Sequence, residues 1–485
     1  MMKQHPKGLW FLFFTEFWER FSFYGISAIL VLYLTAENGM HISGESAGLI
    51  AGSYITYLYL TTALGGILAD RLIGYQWAVF LGGGIIMLGH ISLSLSYYYP
   101  PLFYLGLGSI AGGTGLFKAN VSVMVGLLYD KKENSYLRAT GFSIFYAGIN
   151  IGALIAMFIV GYVGEVIGWH YAFSLAAFGM LSGLLVLKYG LRYLPKSTHI
   201  INPKARQSVP VLRITYGSLV GIGALLMAGV FALLIPHPLY SSYVIGLSSI
   251  ILLIYLINML KKAGKTAKRH IALILFMSLF MLLFWSLNNQ ISLSLPLFIN
   301  AHVNLEFLGL NWTTTAVLGC YLLLLTLINP LFAYVLQKMS RKGQGAYADE
   351  VKFALALIFE ASAFILLGIV AYSLAANGLI GIYWILLFQF LLVLGELFIS
   401  PIGLSLVTRL APKNMAATMM GIWWTISAYA GFLGGIIGSM TATRNAVSSI
   451  PAFSKTYILL GVAAFTAAVI LFVILFYLRL KHKES

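Results

Sequence analysis

Two carboxylates and a guanidinium, Glu16, Glu19 and Arg20, fall within five residues of one another in a stretch that otherwise reads as lipid solvent. Trp10-Phe11-Leu12-Phe13-Phe14 precedes them and Ile26 to Leu34 follows. Wound as a helix, Glu16, Glu19, Arg20, Phe23 and Tyr24 take positions i, i+3, i+4, i+7 and i+8 and share one stripe. Charge at bilayer depth is costly, so such residues face a bundle interior or water, pair with one another and do a job. The chemistry open to them is proton binding and the grip of a charged solute. A buried ion network that only fixes packing is the bland alternative, and three ionisable groups in so short a span exceed what packing needs. Lys118, Glu360 and Glu396 lie in later apolar runs.

Of 485 residues, 60% are hydrophobic and only 9% charged, against roughly 25% charged in a soluble domain. Apolar runs of about twenty residues recur from end to end, each long enough to span a bilayer as a helix. Alternating strand patterns are absent, which argues against a β-barrel. Cys320 is the sole cysteine, so no disulfide can form within the chain, and it reads as a small core residue. The first apolar run carries three ionisable residues and no small-residue cleavage site, so no cleavable signal is expected. A net charge of +16 raises nucleic acid as a partner, but the basic residues are spread over short loops and form no soluble basic face.

Apolar runs and loop breaks together predict fourteen helices: Gly8–Leu34, Ser46–Leu72, Trp77–Tyr97, Leu102–Leu128, Leu137–Val163, Trp169–Tyr193, Val211–Ile235, Leu239–Leu260, Ile271–Ile299, Thr313–Met339, Lys352–Ser373, Leu379–Leu410, Met415–Met440 and Phe453–Leu480. Of the 30 Lys and Arg residues, all but Arg20 and Lys118 inside helices and Arg444 and Lys455 outside fall on one side, which puts both termini on the cytoplasmic face. The expected organisation is a six-helix bundle over residues 1–194, a linker with two inserted helices over 195–270, and a second six-helix bundle over 271–485. The inserted pair carries no charge within its spans and reads as lipid-facing scaffold.

Gly65-Gly66-Ile67-Leu68-Ala69-Asp70-Arg71-Leu72-Ile73-Gly74 closes the second helix. Its small residues suit close helix approach, and Asp70 and Arg71 meet the cytoplasm. The stretch resembles the loop signature of the major facilitator superfamily, where it acts as a conformational latch. Glu16-x-x-Glu19-Arg20-Phe21-x-Phe23-Tyr24 resembles the first-helix motif of the proton-dependent oligopeptide transporter family. Gly113 to Ser122 around Lys118, Phe145 to Gly152 around Asn150, Gly395 to Leu404 around Glu396, and Met420-Gly421-Ile422-Trp423-Trp424 resemble four further segments of that family in the right order. The resemblance covers essentially the whole chain, including the inserted pair typical of bacterial members. It implies an all-α polytopic membrane protein with the major facilitator superfamily fold, two six-helix halves rocking around a midplane cavity.

By that resemblance the substrate-binding positions are Arg20, Tyr24, Tyr59, Lys118, Asn150, Asn329, Glu396, Trp423 and Ser427, with Phe398 beside them. Their chemistry suits a di- or tripeptide, which carries a carboxylate, an ammonium group and variable side chains. Lys118 and Arg20 would hold the carboxylate and Glu396 the ammonium. Tyr24, Tyr59, Asn150 and Asn329 offer hydrogen bonds, and Trp423, Trp424 and Phe398 would line side-chain pockets. Plainer readings stand beside these. Lys118 and Glu396 could form a structural ion pair. Asn150 could be interhelical glue, and Asn329-Pro330 a capped kink. Tyr59 could be core packing, and adjacent Trp423 and Trp424 cannot both face one pocket. Proton coupling would use Glu16, Glu19, Arg20 and Lys118: a peptide carboxylate that engages either cation competes with a glutamate, which is then free to take a proton.

The chain departs from the family pattern where Asn289 takes the place of a common glutamate. The base that often pairs with it is also missing, since Ser43 to Tyr57 holds no Lys or Arg. Loss of both together avoids an unpaired buried charge, and the outer gate must then close by packing or neutral hydrogen bonds. Glu360 is an unexpected acid that could replace the missing proton site or lie solvated. Phe23 stands where a tyrosine is usual. Histidines are scattered without metal-like spacing, and Gly82-Gly83-Gly84 lacks the Gly-Lys-Ser/Thr ending of a phosphate loop and suits close helix packing. The expectation is proton-coupled uptake of di- and tripeptides across the inner membrane, by a monomer without cofactor or metal, H⁺ being the coupling ion. A same-fold carrier of nitrate, another anion or a drug-like compound is the alternative, as is a peptide sensor that moves nothing. Retention of both Lys118 and Glu396 favours a zwitterion, and nothing suggests an enzyme.

Overall fold

The computed structural model describes residues 5–130, 135–199, 203–207, 215–340, 348–374, 378–410, 416–442 and 449–483. Its long elements are helices: α1 Gly8–Thr35, α2 Gly44–Leu60, α3 Tyr75–Leu95, α4 Leu102–Leu127, α5 Arg138–Tyr162, α6 Trp169–Gly190, α7 Tyr216–Leu234, α8 Pro238–Lys262, α9 Lys265–Asn288, α10 Thr314–Ser340, α11 Ala348–Leu374, α12 Ile382–Leu410, α13 Ala416–Ser439 and α14 Ile450–Lys483. Among the described residues, twelve helical segments are long and apolar enough to cross a membrane. Helix α1, with its three ionisable residues, and α13, whose apolar stretch is Thr425–Ser439, bring the total to the fourteen expected. The chain is a multi-pass membrane protein. Val211 and Met415, the expected starts of two helices, lie outside the described residues, as do Lys3, Lys131, Lys132, Arg213, Arg341, Lys342, Lys413 and Arg444 of the charge pattern.

Two expected helices are broken, each for a local reason. The second ends at Leu60, resumes over Thr62–Leu68 and closes in one π turn, Ala69–Ile73. At the break, the Thr61 hydroxyl is within hydrogen-bonding distance of the Tyr57 carbonyl (3.3 Å) and the Ala111 carbonyl of α4 (3.2 Å), a side-chain alternative to the helix ladder. Gly74 ends the π turn at φ +76°, a conformation glycine adopts freely, and its N–H bonds the Ala69 carbonyl at 3.0 Å. The run expected as Ile271–Ile299 is α9 followed by two short helices, Gln290–Leu293 and Leu295–His302. Pro296 sits in the first turn of the latter, where its missing N–H costs no ladder bond. Ser294 Oγ donates to Gln290 Oε1 at 2.8 Å across the break. Four two-residue strands lie beyond it: β1 (Val303–Asn304) pairs in parallel with β4 (Ile380–Gly381), and β2 (Glu306–Phe307) pairs antiparallel with β3 (Leu310–Asn311).

The chain forms two compact units, Met1–Tyr33 with Ser53–Ser241, and Leu34–Gly52 with Ser242–Ser485. In the first, α3 crosses α4 on glycines. A Cβ at Gly82 would lie 2.6 Å from the Gly113 carbonyl oxygen, and one at Gly106 would lie 2.7 Å from that of Gly89. Of the Gly82-Gly83-Gly84 run, Gly82 meets α4, Gly83 meets Met180 and Leu184 of α6, and Gly84 has nothing within 4 Å. The inserted helix α7 packs on α4 through Gly108, against the backbone of Ala228 and Ala232. In the second unit, the start of α2 lies against α13: a Cβ at Gly52 would stand 2.4 Å from Gly435 Cα, and one at Gly48 would stand 2.9 Å from Ser439 N. Helix α8 leaves Leu239, Leu247, Ile250 and Ile254 more than half exposed, an apolar face suited to lipid.

Candidate functional site

Helical spacing on α1 brings its ionisable groups together. Arg20 Nε lies 3.2 Å from Glu16 Oε1, one turn earlier, and also donates a hydrogen bond to Glu19 Oε2. Glu16, Glu19 and Arg20 are 4%, 1% and 3% exposed, so all three are out of bulk water. That trio alone would carry one net negative charge when ionised. Lys118 of α4 lies within electrostatic reach of Glu16 and brings the sum to zero, as burial demands. Its Nζ stands 4.2 Å from the ring centre of Tyr59 and 5.9 Å from that of Phe23, and it hydrogen-bonds the Tyr59 hydroxyl. Arg20 Cζ lies 4.8 Å from the Phe23 ring centre. The phenylalanine at this position therefore offers its π face to both cations. Tyr24, half-buried, is within electrostatic reach of Arg20.

Bonding capacity is left over in this cluster. Arg20 Nη2 and Glu16 Oε2 are buried and have no hydrogen-bond partner among the described residues. The same holds for the hydroxyl of Tyr54 on α2, which lies within electrostatic reach of both Glu19 and Arg20. Sequence reasoning missed Tyr54, because nothing separates it from the other tyrosines of α2. Buried polar atoms without partners are rare in native proteins. A guanidinium nitrogen, a hydroxyl and a lysine within one small region are what a carboxylate ligand would use.

The second unit holds its own cluster. The Tyr321 hydroxyl on α10 donates to Glu396 Oε2 on α12, and Asn288 Nδ2 on α9 donates to the Tyr321 oxygen at 3.1 Å. Glu396 is half-buried, whereas Glu360 on α11 is fully buried, and neither Glu360 oxygen has a hydrogen-bond partner among the described residues. The two carboxyl groups interact electrostatically. Asn288 and Tyr321 were not singled out from the sequence. Asn288 is masked by its neighbour Asn289, which stands next to it at the end of α9, and Tyr321 sits among leucines. Phe398 packs edge-on to Phe332, with ring centres 4.7 Å apart, and stacks with Phe359 at 5.9 Å. Trp423 is buried in the apolar core with Phe284, Ile399 and Ile426, and the side chain of Trp424 lies outside the described residues.

Asn150 on α5, Asn329 beside Pro330 in α10, and Ser427 on α13 are each half-buried. Asp70 and Arg71 lie exposed in the π turn, where Asp70 hydrogen-bonds the Tyr75 hydroxyl. The side chains of α12 from Ser400 to Leu410 lie outside the described residues.

A sequence model of the POT family matches residues 76–457. The chain belongs to the POT family. It is a membrane transporter, not an enzyme. It is 33% identical over 455 residues to the peptide transporter YePEPT of Yersinia enterocolitica, with 90% of this chain and 88% of that one covered. It is 34% identical over 440 residues to a di-/tripeptide transporter of Lactococcus lactis, with 86% of each chain covered. An uncharacterized transporter of Bacillus subtilis, YclF, is 35% identical over 443 residues, covering 88% and 86%. The fold is similar to the crystal structure of peptide transporter POT in complex with sulfate (TM-score 0.83, 32% identity, covering 97% and 94%). It is also similar to that of a POT family transporter in complex with 5-aminolevulinic acid (TM-score 0.84, 28% identity, covering 97% and 96%).

Proposed function

We propose that this POT-family chain carries di- and tripeptides inward across the cytoplasmic membrane by alternating access, coupled to protons and without a cofactor. It works as a monomer with both termini in the cytoplasm. The observation that carries the reading is the buried Arg20, shared by Glu16 and Glu19 and still holding an unpartnered nitrogen beside Lys118. Arg20 and Lys118 take the peptide carboxylate. The glutamate displaced from its cation takes a proton, so carboxylate binding and proton binding favour each other. Glu396 takes the ammonium group, with Tyr321 orienting it. Tyr24, Tyr59, Asn150, Asn329 and Ser427 supply neutral hydrogen bonds, Phe398 and Trp423 shape the room for side chains, and Asp70 and Arg71 act as the latch.

Support for the cargo comes from the relatives named as peptide and di-/tripeptide transporters. A ligand such as 5-aminolevulinic acid on a fold neighbour also carries one amino and one carboxyl group. Support for the orientation comes from the Lys and Arg placement, which leaves only Arg444 and Lys455 on the outer side. The test is uptake of labelled dialanine into proteoliposomes with an inward proton gradient on or off, in competition with unlabelled tripeptide. Uptake that requires the gradient and yields to the tripeptide supports the reading. Intact reconstituted protein that takes up no dialanine overturns it.

A further inference from the structure

The first unit carries a groove apart from the charged cluster on α1. It encloses about 310 Å³ between the resumed part of the second helix (Thr62–Leu68), α4 and the inserted helix α7. Its floor is the line where α7 touches α4, at Gly108 and Gly112 against Ala228 and Ala224. Leu64, Leu68 and Leu72 form one wall, Leu219 and Met227 the other, and Gly223 adds no side chain. The Thr61 hydroxyl at its edge already faces the carbonyls of Tyr57 and Ala111. Water needs several polar partners to settle in a cavity, and these walls supply few. In a bilayer the apolar solvent at hand is an acyl chain.

The dimensions and the charge both fit a phospholipid. Tyr216 and Met227 line the groove, and at 1.5 Å per residue about 16 Å of helix separates them, roughly half of a 30 Å hydrocarbon core. Tyr216 opens α7, and Tyr75 with the exposed Trp77 follows the π turn, aromatic residues suited to the headgroup level. The groove therefore runs from the headgroups to about mid-bilayer, the depth of one leaflet. Its headgroup end is basic. Arg71 lies exposed in the π turn, between the groove residues Leu68 and Leu72. The one-turn helix Pro203–Arg206 packs against that turn, and the next residue, Gln207, accepts from the Tyr216 N–H at 3.1 Å. The exposed Arg206 thus stands at the start of α7. Residues 194–215 carry Lys196, Lys204, Arg206 and Arg213, and no acid occurs in the sequence from 166 to 305. Asp70 is the acid at this end, and it hydrogen-bonds the Tyr75 hydroxyl.

We propose that this groove binds one acyl chain of an anionic phospholipid, whose phosphate is held by Arg71 and Arg206. Native mass spectrometry of the purified full chain in detergent tests it by reading the affinity of the first lipid bound, with dioleoyl phosphatidylglycerol or dioleoyl phosphatidylcholine added. Phosphatidylcholine carries the same phosphate beside a cation of its own, so the two lipids isolate net charge. Wild type binds phosphatidylglycerol the more tightly. Arg206→Gln weakens phosphatidylglycerol about fivefold, the effect of one basic residue at an anionic surface, and leaves phosphatidylcholine as it was. Gly223→Leu fills the groove, since a Cβ there meets nothing within 4 Å, and removes the first site. Gly246→Leu, equally unobstructed on α8 and away from the groove, keeps it. Equal wild-type affinity for the two lipids overturns the proposal, as does an Arg206→Gln protein that holds phosphatidylglycerol like wild type. Gly223→Leu with wild-type affinity also overturns it, as does a loss that Gly246→Leu shares. Should Gly223→Leu fail to fold, Leu219→Trp obstructs the same wall, and wild-type affinity in that variant overturns the proposal.

Discussion

Replacing Arg20 with lysine keeps the charge of the first cluster and changes only the number of directions in which it can be gripped. Arg20 serves both glutamates through Nε, to Glu19 and to Glu16 at 3.2 Å, and this leaves Nη2 without a partner. A lysine ammonium is a single point with three donors and no fixed fork. Holding Glu16 and Glu19 consumes two of them, and the third has no preset direction toward a ligand. The net cluster charge is unchanged, so the burial cost that would follow from deleting the cation is avoided. The loss is one charge-assisted hydrogen bond to the peptide carboxylate, about 1.5–3 kcal/mol. That corresponds to roughly a 10- to 150-fold rise in the dissociation constant. Displacement of labelled dialanine from purified Arg20→Lys protein reads this directly, with a thermal melt in parallel to show an intact fold. A dissociation constant within about threefold of wild type, less than 1 kcal/mol, would refute the assignment of Arg20 to the carboxylate.

Glu396→Gln removes the charge that takes the ammonium group. Dialanine affinity should fall by a similar 10- to 150-fold, roughly, and the variant should no longer prefer dialanine over N-acetyl-dialanine as a competitor. A preference equal to that of wild type would place ammonium recognition elsewhere. Gly52→Val puts side-chain atoms where Gly435 Cα already stands, 2.4 Å from an added Cβ. Overpacking of this kind costs about 1–3 kcal/mol, and it should lower the melting temperature and abolish uptake by forcing α2 from α13. Gly84→Ala, with nothing within 4 Å, is the matched control and should leave both readouts as in wild type.

Local order was legible from the chain, and cross-helix order was not. The pairing of Glu16 with Arg20 follows from a one-turn spacing on a helix, which can be read directly from their positions four residues apart in an apolar run. The closeness of α3 and α4 was readable in part from Gly82-Gly83-Gly84, although only Gly82 and Gly83 touch a neighbour. The electrostatic influence of Glu396 on Glu360 joins two helices at unrelated sequence positions, and no periodicity announces it. Tyr54, Asn288 and Tyr321 are common residue types in apolar helices, and only the fold places them beside charge. The break at Thr61 escaped notice because its cause, a hydroxyl facing the Ala111 carbonyl, lies on another helix. Gly48 and Gly52 lie against α13, a contact that glycines in two distant runs could not reveal alone.

The central claim is that a buried glutamate beside Arg20 ties peptide movement to a proton, and steady-state accumulation of dialanine tests it most directly. Proteoliposomes containing wild type or Glu19→Gln are given the same inward proton gradient, and the internal-to-external dialanine ratio is followed to its plateau. The account predicts that wild type concentrates dialanine and loses the excess when a protonophore collapses the gradient, whereas Glu19→Gln only equilibrates it. Accumulation by Glu19→Gln to the wild-type plateau, or wild-type accumulation indifferent to the protonophore, would contradict it.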